Sequence, residues 1–200
     1  MKKRSGRGRP KGFDQAEVLE NAMRVFWEDG YEGASLTALQ EATRLSPPSI
    51  YHSFGSKEGL YRACLDHYQG RHGSPVDAMR AEPPGPEGLR RLLSTAAAEY
   101  TSPDQPAGCM ISTAALTVGP QHDAVAGQVA ARRATSLGLV RDYLAQARRR
   151  GTLPESADPA ALARYFGAIM QGMSVQARDG ATREELEAIA DIAMAAWPVE

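Results

Sequence analysis

Cysteine is scarce in this 200-residue chain. Cys64 and Cys109 are its two cysteines, too few for a disulfide framework, and a protein of this kind is expected in a reducing cytoplasm. No run approaches the ~20 consecutive apolar residues of a membrane-spanning helix, and the N-terminal stretch lacks the apolar segment of a secretory signal. No alternating apolar pattern with hairpin turns marks a strand. No nucleophile, base and orienting group stand together, so an enzyme is not expected. Cys64, His67 and His72 are the one grouping of metal-ligating residue types, but on a single helix they do not converge on a tetrahedral site. Neither a metal nor a cofactor is expected.

The apolar fraction of 42% and charged fraction of 24% are those of a soluble globular chain able to bury a core. Helical punctuation recurs along it. Asp14-Gln-Ala-Glu17 has the form of a capping box, and Val18, Ala22, Val25 and Phe26 follow at helical spacing until Gly30. Ser35 opens a short helix with Leu36, Leu39 and Ala42. Ser46 opens a third with Pro47 at its first position, Ile50 and Phe54 facing inward. Ser56 opens a fourth, towards Tyr68. "GRHGSPVDAMRAEPPGPEG" then reads as a connection. Beyond it, helices are expected at about Glu87–Tyr100, Cys109–Val118, His122–Arg150, Pro159–Gly180 and Thr182–Trp197. The expected architecture is all-α with about nine helices: a basic arm (1–12), a compact head (13–70) and a larger helical body (71–200).

Charge is unevenly placed. Residues 1–72 carry 11 Lys and Arg against 9 Asp and Glu, whereas residues 73–200 carry 12 against 15. The basic excess sits in "MKKRSGRGRPK", six cations without an acid, which points to a polyanion contact beginning there. The short second helix, the turn "TRLS" and the Pro-led third helix have the proportions of a helix-turn-helix, whose later helix enters the major groove.

"GFDQAEVLENAMRVFWEDGYEGASLTALQEATRLSPPSIYHSFGSKEGLYRACLDHY" resembles the DNA-binding head of the TetR/AcrR family of bacterial transcriptional regulators. The resemblance rests on Phe26, Gly30-Tyr31, Ser35-Leu36, the helix from Thr37, and "PPSIYHSFGSKEGLY". It implies that Thr37 meets phosphate and that Pro47, Pro48, Ser49, Tyr51 and His52 face bases or backbone. It further implies that Lys57 clamps a phosphate. Where relatives place Gly in the turn, this chain has Arg44, within reach of a phosphate; a left-handed backbone there costs on the order of 1 kcal/mol. "GRGRP" resembles the core of an AT-hook, so Arg7 and Arg9 are expected in a narrow minor groove, with Lys11 among the residues screening phosphates.

For the body, the resemblance implies a small-molecule effector of unknown class and a homodimer on a double-stranded operator. Glu99, Tyr100, Cys109, Met110, Thr113 and Thr117 fall near the family's pocket, and Tyr143, Tyr165, Met170 and Met173 are candidates for its walls. Phe166, Ile169, Met173, Leu186, Ile189, Ile192, Ala193 and Trp197 form the expected dimer face on the last two helices. The leading reading is a ligand-released repressor. The alternatives are a thiol-switched regulator acting through Cys109, which follows Gly108 at a helix start, and, behind it, a helical scaffold or enzyme that does not bind DNA and whose arm is an inert tail.

Overall fold

The protein is described by a computed structural model covering residues 14–71, 74–113, 115 and 118–198. Among the described residues, ten α-helices and one 3-10 turn form the regular structure and no strand occurs.

The head is built from four helices whose starts are fixed by side chains. α1 (Gln15–Gly33) begins where Asp14 accepts from the Ala16 N–H. α2 (Leu36–Thr43), α3 (Pro47–Phe54) and α4 (Lys57–Gln69) begin where Ser35, Ser46 and Ser56 accept from the N–H groups of Ala38, Ser49 and Gly59. Helices of eight residues are marginal on propensity alone; each cap satisfies an orphaned N–H and contributes about 1 kcal/mol. Gly30 breaks the regularity of α1 with φ 73° and ψ 175°, and the chain takes a further turn before ending. Gly59 lets α4 meet the end of α3: a Cβ there would lie 1.9 Å from the Phe54 carbonyl oxygen.

Aromatic rings fill the centre of the head. The Tyr61 ring lies edge-on to Phe26 at 4.9 Å between centroids and is tilted against Tyr31 at 5.1 Å. Met23, Leu39, Ile50 and Leu60 are buried around them. The same cluster takes in Met110, Ile111, Val125 and Val129, so part of the body packs directly under the head.

The body comprises α5 (Pro75–Arg80), α6 (Pro86–Tyr100), α7 (Met110–Thr113), a 3-10 turn at Pro120–His122, α8 (Asp123–Arg149), α9 (Pro159–Arg178) and α10 (Arg183–Met194). α5 lies inside the stretch expected to be only a connection. Ser74 caps it, Pro75 opens it and Met79 is buried, so a local helix signal sits among residues otherwise typical of a linker. Of the helix expected over Cys109–Val118, the described residues show α7 over Met110–Thr113, with Ala115 in a turn and Val118 outside regular structure. α10 starts with a complete capping box between Thr182 and Glu185.

The body core joins Leu89 and Leu92 of α6, Val140 and Leu144 of α8, Phe166 and Met173 of α9, and Leu186 and Ala193 of α10. Of the expected dimer face, Phe166, Met173, Leu186 and Ala193 are buried within this chain's own core. Ile169, Ile189 and Trp197 are partly buried against the same core. Ile192 is 75% exposed, and Val175 and Tyr165 are exposed as well. Helical periodicity marks an apolar stripe, but it does not say whether a subunit's own core or a second chain covers that stripe.

Candidate functional site

The helix-turn-helix is α2 and α3 joined through Arg44, which adopts the left-handed conformation (φ 57°, ψ 21°) and is exposed. Thr37 is exposed in the first turn of α2. Along α3, Ile50 is fully buried and anchors the helix, while Pro47 and Ser49 are half-buried. Pro48, Tyr51 and His52 face outward. Tyr51 is 43% exposed, so its phenol is not part of the core. Lys57 lies half-buried at the start of α4, its Nζ 4.8 Å from the centroid of the Tyr31 ring and donating to the Glu32 carbonyl at 3.5 Å. Burial lowers its pKa, against an opposing pull from the Glu32 carboxylate. Arg7, Arg9 and Lys11 lie outside the described residues.

A cavity of about 970 Å³ opens where the end of α4 meets the body helices. Its wall includes Tyr68 of α4, Glu99 and Tyr100 of α6, Cys109 ahead of α7, Arg133 of α8 and Met170 of α9. The Tyr68 hydroxyl lies 3.1 Å from Glu99 Oε1 and 3.3 Å from Cys109 Sγ. Its ring also packs edge-on against Trp27 of α1 at 5.0 Å. One side chain of the head therefore touches both the cavity and α1. Burial raises the Glu99 pKa, with the Tyr68 hydrogen bond and the Arg71 charge pulling the other way. The Cys109 N–H donates to Ser174 Oγ at 2.8 Å. Gly108 (φ 80°) makes this docking possible, since a Cβ there would lie 2.6 Å from the Ser174 carbonyl oxygen.

Of the residues expected at the pocket, Glu99, Tyr100, Cys109 and Met170 line the cavity. Met110 is buried in the head-side core. Thr113 turns its hydroxyl onto the Cys109 carbonyl at 3.0 Å, and Tyr143 donates to the Pro83 carbonyl at 2.7 Å. Tyr165 packs edge-on against Phe166 near the surface, and Met173 belongs to the body core. Thr117 lies outside the described residues. Tyr68, Arg71 and Arg133 line the cavity but were missed by sequence reasoning. Tyr68 and Arg71 lie where the head's last helix ends, and the pattern offered no reason to bring that end to a body cavity.

A Pro-led helix displayed on a buried isoleucine, over a helical body whose cavity reaches into the head, defines a helix-turn-helix DNA-binding regulator. Residues 18–64 match the family described as bacterial regulatory proteins, tetR family, and residues 85–193 match the tetracyclin repressor-like C-terminal domain. The chain belongs to the tetR family. It is 37% identical over 197 residues to the transcriptional repressor ComR of Escherichia coli, covering 98% of this chain and 94% of that one. With BdcR of the same organism, also named a transcriptional repressor, it shares 30% over 187 residues, covering 93% and 90%. Among solved structures, a cysteine-substituted form of the regulator CifR, complexed with 26-base-pair operator DNA, superposes with a TM-score of 0.91 at 43% identity. That match covers 95% of this chain and all of that one. Both cysteines here are free, Cys64 buried and Cys109 half-buried in the cavity wall, and the thiol-switched alternative is not favoured.

Proposed function

We propose that the protein is a homodimeric transcriptional repressor of the cytoplasm that holds a palindromic operator and is released by a small molecule bound in the body cavity. The observation that carries this reading is the display of α3, with Ile50 buried while Pro48, Tyr51 and His52 point outward. Supporting it are the repressor names of ComR and BdcR and the operator bound to CifR.

In this reading α3 enters the major groove with Pro47, Pro48, Ser49, Tyr51 and His52 towards the bases and their sugars. Thr37, Arg44 and Lys57 contact phosphate, Lys57 leaving the Tyr31 ring for it. Arg7 and Arg9 enter the adjacent minor groove, Lys11 lying on the backbone. Release follows from Tyr68. An effector that occupies the cavity competes for Glu99 and Cys109, moves Tyr68, and with it α4 and the Trp27 region of α1. The two heads of a dimer then take a spacing that no longer fits successive major grooves.

Selection of bound sites from random duplex DNA tests this reading, and a two-fold symmetric site is the expected result. No preference for any duplex at low ionic strength sinks it. Removing residues 1–11 from the same protein is expected to weaken binding and flatten the plot of log affinity against log salt, by about 0.9 for each phosphate that the arm neutralises. Binding and slope that do not change would reject the role of the arm alone.

A further inference from the structure

We infer that the cavity takes a small organic anion, a carboxylate on an apolar body, with Arg71 and Arg133 receiving the charged end. This rests on the reading of the cavity as the effector site and adds the chemical class of the effector.

Three arginines, Arg71, Arg133 and Arg164, are among the residues that line the cavity. None of them is in an ion pair among the described residues. Arg71 donates to the Gln105 side-chain oxygen and lies over the rings of Trp27 and Tyr68, at 5.7 and 5.2 Å from their centroids. Arg133 donates to the Ile111 carbonyl at 3.1 Å. These neutral partners occupy N–H groups without supplying a countercharge. Arg71 and Arg133 are also half-buried, so each carries part of the cost of desolvating a cation.

The described wall holds two carboxylates, and neither supplies the missing countercharge at close range. Asp77 is exposed and accepts from the Ser74 hydroxyl at 2.7 Å, at the start of α5. Glu99 accepts from the Tyr68 hydroxyl at 3.1 Å and forms no ion pair with an arginine among the described residues; burial raises its pKa, while the Tyr68 hydrogen bond and the Arg71 charge lower it. Ile111, Leu137, Leu139, Val140 and Met170 give part of the wall a surface for hydrocarbon, beside uncharged polar residues such as Ser112, Thr135 and Gln171. The volume lies at the upper end of the range for drug-sized ligands, about 300–1,000 Å³. A neutral guest leaves the guanidiniums without a countercharge, and a cationic guest adds to their repulsion. A carboxylate meets a fork of donors with matching geometry.

The test titrates the full-length protein by calorimetry with octanoate, 1-octanol and octylamine, with 1-naphthoate as a carboxylate on a different body. Release of a labelled operator duplex is followed alongside. One of the carboxylates is expected to bind roughly ten- to hundredfold more tightly than 1-octanol and to release the duplex, and octylamine to do neither. Arg133→Gln and Arg71→Gln are each expected to bring the carboxylate down to the level of the alcohol while leaving the alcohol's affinity unchanged. Arg133→Lys, which keeps the charge without the fork, retains part of the preference and separates lost charge from lost folding. The inference is overturned if 1-octanol or octylamine binds as well as the tighter of the two carboxylates, if both Gln variants keep the preference, or if neither carboxylate binds. Calorimetry decides the chemical class by itself. A protein that discriminates carboxylates yet holds no duplex would instead count against the DNA-binding reading.

Discussion

Arg44 and Glu99 show how differently single residues can be read from a sequence. At Arg44, the family resemblance leads to the expectation of a left-handed backbone, and the backbone takes that conformation despite the side chain. The physics there is local. Glu99 lies near the expected pocket by its place in the chain, but its environment is set by Tyr68 from another helix, which no spacing rule supplies. Its chemistry carries a prediction. With the native pKa raised by burial, the folded state binds more protons than the unfolded chain between the two pKa values. Stability therefore falls as pH rises through that interval and stays lower above it. Glu99→Gln keeps an acceptor for Tyr68 and removes the titration. The variant is expected to melt at a higher temperature than the parent at pH 7–8, and to lose that advantage near the ordinary carboxyl range of about pH 4. Parallel melting curves across this pH range check it; an advantage independent of pH would mean that Glu99 does not titrate upward.

At the scale of helices, the starts were legible because serine, aspartate and proline act locally. The caps at Ser35, Ser46, Ser56, Asp158 and Thr182 all form. α5 was not legible, because its six residues lie between Gly- and Pro-rich flanks, and what holds it is Met79 in a core built from distant helices. The joint between head and body is equally non-local. Arg178, at the end of α9, donates from its two terminal nitrogens to the Trp27 and Glu28 carbonyls at 2.9 and 3.0 Å, just before the Gly30 break in α1. The helix that lines the cavity through Met170 is thus tied to the helix that supports the DNA-reading pair. Arg178→Ala is expected to cost about 1–2 kcal/mol of stability and to speed amide exchange in the second half of α1. Lysine cannot span two carbonyls as a fork does, so Arg178→Lys is expected to recover only part of the loss. Exchange in α1 that does not change would show that α9 and α1 are joined by other contacts.

For the whole molecule, the apolar pattern of α9 and α10 was legible and its partition was not. Most of the stripe became the subunit's own core, leaving Ile192 as the most exposed of the large apolar side chains, with Tyr165 and Val175 also at the surface. A branched aliphatic side chain left open on a C-terminal helix suits burial against a second copy, and a two-fold operator needs two heads held together. Ile192→Glu places a charge where that contact would form, while the residue's exposure leaves the subunit core untouched. The parent is expected to sediment as a dimer and the variant as a monomer at the same concentration, with the fold of the chain unchanged by circular dichroism. The variant's operator affinity is expected to fall by at least about a hundredfold, because without the second, intramolecular binding event an enhancement of roughly 10²–10⁴ disappears. Retention of the dimer by Ile192→Glu would move the interface away from α10, and weaker operator binding by an intact dimer would separate assembly from operator recognition.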